Sequence, residues 1–199
     1  VGRFIPVAGV LVFLPFLFYA RWVNTIRAGN NSFQAAQYEA ALDRYRSAQN
    51  QFPAFASALP FTRPLARETA LKQVQILYLK RDLTAALESL QSLPRRYSFL
   101  NQEWEFHLWY GNVLFQRAIN QDDPAILLDS FRAALHEYQK ALELNGGSWD
   151  ARYNYELLQR LLTAETEEGQ EKLQLLLDAI KDKTRRDKKQ DQLPPEKRG

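Results

Sequence analysis

The frame GNxxFQ occurs twice, as GNNSFQAA over 29–36 and as GNVLFQRA over 111–118, and each copy is followed by an Ala-x3-Tyr-x2-Ala run: Ala41, Tyr45 and Ala48, then Ala134, Tyr138 and Ala141. Spacings of four and three place those side chains on one face of a helix. Two helices approach closely only where neither presents a bulky side chain, so a glycine paired with an Ala–Tyr–Ala face reads as a helix crossing. A chain that carries the same crossing twice is constrained to fold as repeated helical units.

The segment 22–55 therefore reads as two antiparallel helices, with Leu42 beside the Ala–Tyr–Ala face and Pro53 as the stop. Its pattern resembles a tetratricopeptide repeat, in which a small residue marks the first helix and Ala-x3-aromatic-x2-Ala the second. A second pair falls at about 65–97: Leu71, Val74, Leu77 and Tyr78 line one face, Leu83, Ala86, Leu87, Leu90 and Leu93 the other, and Lys80–Asp82 make the turn. The third pair, about 104–146, has Trp104, Leu108, Gly111, Leu114 and Phe115 in its first helix and an insertion around Gln121–Pro124 before its second. A further helix starts at Trp149, with Asp150 as its cap, Tyr153, Leu157 and Leu161 as its stripe, and Arg152 and Glu156 as i, i+4 partners. Leu173, Leu176, Leu177 and Ile180 predict an amphipathic capping helix over 164–183, and 184–199 reads as a disordered basic tail. The expected class is all-α: a transmembrane helix, a short hairpin solenoid over 22–163 and C-terminal capping helices.

The transmembrane expectation comes from Phe4 to Ala20, FIPVAGVLVFLPFLFYA, which holds no charge and is bounded by Arg3 and Arg21. As a helix it spans roughly 25 Å, and Trp22 and Val23 extend it if Arg21 snorkels. A cleaved signal peptide needs small residues before its cut, where this chain has Phe18, so a retained anchor over 1–21 is the preferred reading. A buried core helix, with Pro6 and Pro15 as kinks, is the remaining alternative. The flanking arginines do not fix orientation.

Cysteine is absent, which excludes disulfides, thiolate metal sites and a thiol nucleophile. The net charge of +3 reflects the chain ends: 181–199 holds eight Lys/Arg against four Asp/Glu, which with Arg3 and Arg21 leaves 22–180 net negative. No nucleic-acid footprint follows from that distribution. His107 and His136 sit apart in separate helical patterns, and the acidic run Glu165–Glu171 matches no calcium loop. No phosphate-cradling glycine loop and no nucleophile elbow occurs, so neither an enzyme, nor a cofactor, nor a metal site is expected.

What remains is the inner groove of a repeat array. The resemblance places Asn30, Phe33, Gln34, Gln75, Tyr78, Asn112, Phe115 and Gln116 toward it, and amides and aromatics suit a peptide backbone. Peptide-clamp repeats that hold a carboxylate carry Lys or Arg one turn before such an asparagine; here those positions are Ile26 and Leu108. The stretch from Ala141 to Leu162 resembles the end of the tetratricopeptide region in proteins accompanying MoxR-type ATPases and von Willebrand A-domain proteins, including the MxaK-like group. Asp150, Ala151, Arg152, Asn154 and Glu156 match its D-A-R-x-N-x-E pattern, while Gly146–Gly147 departs from the usual Asn-Pro. The resemblance implies a single-pass inner-membrane scaffold with a periplasmic repeat domain and a von Willebrand A-domain protein as partner. Two other functions stay open: an accessory subunit of a membrane enzyme or cofactor-handling complex, and a peripheral protein that touches lipid through its basic tail.

Overall fold

The structure, a computed structural model, describes residues 5–51, 59–120 and 124–162, together with Leu175, Asp178 and Asp182; side chains are described from Phe16 onward in the first helix and from Ile126 onward in the sixth. All regular structure among the described residues is helical: α1 (Ile5–Gln34), α2 (Tyr38–Gln51), α3 (Arg63–Leu79), α4 (Leu83–Arg96), α5 (Trp104–Ala118), α6 (Pro124–Leu144) and α7 (Trp149–Leu162), with short 3-10 turns at Pro60–Thr62 and Ser98–Gln102. The chain divides into two compact units, Val1–Gln102 and Glu103–Gly199.

In the first unit each helix packs on the next, α1 on α2, α2 on α3 and α3 on α4. Because α3 has neighbours on two sides, it is buried around much of its circumference, through Ala66, Thr69, Ala70, Leu71, Gln73, Val74, Ile76 and Leu77. The outer α4 buries only the stripe Ala86, Leu87, Leu90 and Leu93, as its spacing predicts. Its first turn is capped by Asp82, whose Oδ1 accepts the Ala85 N–H at 3.1 Å.

Both hairpin turns of this unit use the same device. The N–H groups of Ala36 and Gln37 donate to the carbonyls of Phe33 (3.0 Å) and Ser32 (2.9 Å), and those of Arg81 and Asp82 donate to Tyr78 and Leu77 (3.0 Å each). These are Schellman closures, whose left-handed position normally takes glycine. Here Ala36 (φ 55°) and Arg81 (φ 62°) occupy it.

The second unit stacks α5 on α6 and α6 on α7 around Leu108, Ala118, Ile119, Phe131, Ala134, Tyr138, Ala141, Ala151, Leu158 and Leu161; Trp104, Leu114 and Phe115 pack against that core from the side. The insertion in this copy lies mainly in α6, which begins ten residues before Ala134, whereas α2 begins three before Ala41. The loop residues 121–123 lie outside the described set, as do Pro53, most of the expected capping helix and the tail.

Three expectations for α7 are corrected. The cap is Ser148, whose Oγ accepts the Ala151 N–H at 3.3 Å, because the helix starts at Trp149 and Asp150 already lies in its first turn. Arg152 donates to the Gly146 carbonyl (2.7 Å) and Glu156 faces Arg160 (3.9 Å), so the two do not pair with each other. The buried stripe is Ala151, Leu158 and Leu161, while Tyr153 is exposed and stacks on Trp149 with ring centroids 5.3 Å apart.

Among the described residues no helix is long and apolar enough to cross a membrane. The backbone shows no break where the anchor was expected to meet the first repeat, since α1 is one helix of 30 residues. Phe16, Leu17 and Phe18 are about two-thirds exposed on it.

Candidate functional site

The repeated frame builds the same constellation in each unit. A Cβ on Gly29 would lie 2.8 Å from Cε1 of Tyr45, and one on Gly111 would lie 2.5 Å from Cε1 of Tyr138. Each tyrosine ring therefore lies against bare helix backbone, which is the steric reason for glycine at both positions. Both rings are buried, and each hydroxyl finds its acceptor on the residue after the glycine: Tyr45 donates to Oδ1 of Asn30, and Tyr138 donates to Oδ1 of Asn112 at 2.9 Å. The asparagine then reaches a third helix. Nδ2 of Asn30 donates to Oε1 of Glu68 on α3 (2.8 Å), and Oδ1 of Asn112 also accepts from Nδ2 of Asn154 on α7 (2.9 Å). An amide serves here because it carries both a donor and a two-lone-pair acceptor. Burial, together with the neighbouring Glu68 charge, pushes the Tyr45 phenol up to about 12, so its hydroxyl stays a donor.

The eight side chains expected in a groove fall into both units. In the first, Asn30 reaches Glu68 of α3, while Phe33 and Gln75 both contact Lys72 of the same helix. Lys72 Nζ sits 4.2 Å from the centre of the Phe33 ring and donates to Oε1 of Gln75 at 3.0 Å. Phe33 also meets Tyr38 edge-on, with centroids 5.9 Å apart. Gln34 is exposed. Tyr78 is half-buried; burial raises its pKa, and the Arg81 charge opposes that shift. In the second unit Asn112 is held as described, Phe115 stacks on Phe131 with centroids 5.5 Å apart, and Gln116 is buried. Glu68 and Lys72 were not among the expected site residues. Their signal was the spacing of Glu68, Lys72 and Gln75 at i, i+4 and i+7, one face of α3.

A second polar cluster lies inside the α5–α6 hairpin. Nδ1 of His107 is 2.7 Å from Oε2 of Glu137, and Lys140 Nζ is 3.1 Å from Oε1 of the same carboxylate. His107 and Glu137 are both buried. Burial works against ionisation of Glu137, yet the hydrogen bonds from His107 and Lys140 and their charges hold its carboxyl below the usual range. His136, the residue before Glu137 on α6, is exposed. Among the described residues no group of three or more His, Cys, Asp and Glu side chains is placed to hold a metal ion.

No family model matches the chain, and no curated protein matches it either.

Proposed function

We propose that the chain is a membrane-anchored scaffold whose stacked helical hairpins hold a protein partner, a von Willebrand A-domain protein of a MoxR-linked maturation or envelope-stress complex, on the periplasmic side of the inner membrane. The observation that carries the scaffold reading is the Gly–Tyr–Asn lock built in both units. It ties three successive helices together, which is what stacked tetratricopeptide-type hairpins require. Partner and compartment come from the resemblance of 141–162, and the anchor from the uncharged run 4–20, supported by the exposed Phe16, Leu17 and Phe18.

The lock also narrows the binding face. Asn30 and Asn112 are occupied with side chains of the two helices that follow their own, so partner contact belongs to side chains that leave the helix stack undisturbed: Phe33, Gln34, Lys72 and Gln75 in the first unit. The test is co-purification of the detergent-solubilised full chain with a membrane-bound von Willebrand A-domain protein. Changing Gln34→Glu together with Gln75→Glu should abolish capture while the melting temperature stays within a degree or two, since a carboxylate at 75 still accepts from Lys72. Undiminished capture refutes the face, and absence of capture by the unaltered chain refutes the partner class.

A further inference from the structure

The 3-10 turn before α3 displays apolar side chains that the repeat fold does not use. Thr62 anchors this turn: it is buried, its hydroxyl donates to the Leu59 carbonyl at 2.8 Å, and its N–H donates to the same oxygen at 3.1 Å. With Thr62 fixed inward, the turn holds Phe61 65% exposed and Leu59 41% exposed. The Phe61 ring meets Tyr19 of α1 edge-on, with centroids 6.4 Å apart, and Tyr19 in turn meets Trp22 at 5.9 Å. Phe16, Leu17 and Phe18, within the uncharged run, are exposed on α1 in the turn before Tyr19, and Arg21 stands exposed after it; Arg63, also exposed, lies over the Phe99 ring at 5.8 Å.

We propose that Leu59, Phe61 and Tyr19 form a second membrane contact, by which the first unit rests on the headgroup–acyl boundary of a phospholipid bilayer and does not merely hang from the anchor. This rests on the anchor reading above. Three observations choose lipid as the occupant. The patch is continuous with the segment that would enter the bilayer. Tyr19, 40% exposed, lies within it, a side chain that favours the interface because one end is apolar and the other polar. Arg21 flanks it, matching the negative surface of anionic lipid. An exposed aromatic on a turn pinned by its own threonine presents its ring with little ordering left to lose on contact.

The absence of cysteine makes single-cysteine labelling clean. The full chain carrying Leu59→Cys, Phe61→Cys or Gln37→Cys, each coupled to a polarity-sensitive fluorophore, is reconstituted into vesicles of phosphatidylcholine and phosphatidylglycerol with a lipid spin label near the headgroup. Gln37 is the internal reference: it is exposed on the turn at the far end of α1, whose last residue lies roughly 22 Å along the helix from Tyr19. Probes at 59 and 61 should be quenched several-fold more than the probe at 37. Equal quenching at all three positions, in chain that floats with the vesicles and resists alkaline extraction, overturns the second contact and leaves the anchor standing. Failure of the chain to float overturns the anchor and the contact together. A blue shift at 59 and 61 that grows with the protein-to-lipid ratio, without quenching, assigns the patch to a second copy of the chain and overturns the lipid contact.

Discussion

Replacing Gly111 by alanine should destabilise the second unit, although the same change in an ordinary helix interior stabilises. Helix propensity alone favours alanine by about 0.8–1 kcal/mol. Against this, the new methyl would sit 2.5 Å from Cε1 and 2.7 Å from Cδ1 of Tyr138, well inside contact distance. The ring has no easy escape: it is 1% exposed, and its hydroxyl is held at 2.9 Å by Asn112. Forcing the two helices apart costs about 1–3 kcal/mol, and loss of the hydroxyl's bond adds about 0.5–1.5 kcal/mol. The net expectation is a loss of about 0.5–3.5 kcal/mol after the propensity gain is subtracted. Gly29→Ala, with its nearest approach at 2.8 Å, should lose less. The assay is denaturation of the full chain in detergent, followed by circular dichroism. Tyr138→Leu in the same molecule should remove most of the penalty, because the clash partner is gone. A rise in stability for Gly111→Ala alone would show that the ring is not pinned, and the crossing argument would fail with it.

Asn112→Ala should cost about 1–3 kcal/mol by leaving the Tyr138 hydroxyl and the Asn154 amide without their acceptor; an unchanged melting temperature would return Asn112 to the partner groove. Ala36→Gly should stabilise by up to about 1 kcal/mol, since a left-handed residue loses its Cβ conflict, and a loss on chemical denaturation would contradict the Schellman geometry. Glu137→Gln should cost about 1.5–3 kcal/mol at neutral pH. Because the folded carboxyl of Glu137 is held below its unfolded value, its contribution is full above the unfolded pKa and disappears as pH falls through the folded one, so the wild-type and Gln variants should converge in melting temperature on acidification. A pH-independent difference between them would refute the ion-pair account.

The hairpins were legible because their signals are local. Ala41, Tyr45 and Ala48 share a face by spacing alone, and Lys80–Asp82 had to turn because the periodicity restarts at Leu83. Partner choice across helices was not legible. Asn30 and Asn112 looked like exposed groove amides because nothing in their own helix satisfies them; their partners, Tyr45, Glu68, Tyr138 and Asn154, lie 15 to 42 residues away. The Glu137 pairing with His107, 30 residues apart, was hidden for the same reason. The error at the start of α7 was a matter of two residues in register. Asp150 and Ser148 are both good caps, and Trp149, a large apolar residue that ends up 71% exposed, gave no hint of which came first.

The unbroken course of α1 sets an angle as well as a distance. A helix advances by 1.5 Å and turns by about 100° with each residue, so the direction in which the first unit faces, seen down the axis of residues 5–20, is fixed by residue count. One alanine added after Ala20 would swing α2, α3 and α4 by about 100° about that axis and draw Tyr19 away from Phe61. Two added residues would nearly reverse the facing direction, and seven would almost restore it while lifting the unit by about 10 Å. A flexible tether would forgive all of these insertions alike; this helix makes the compass bearing of the first unit a countable property of its sequence.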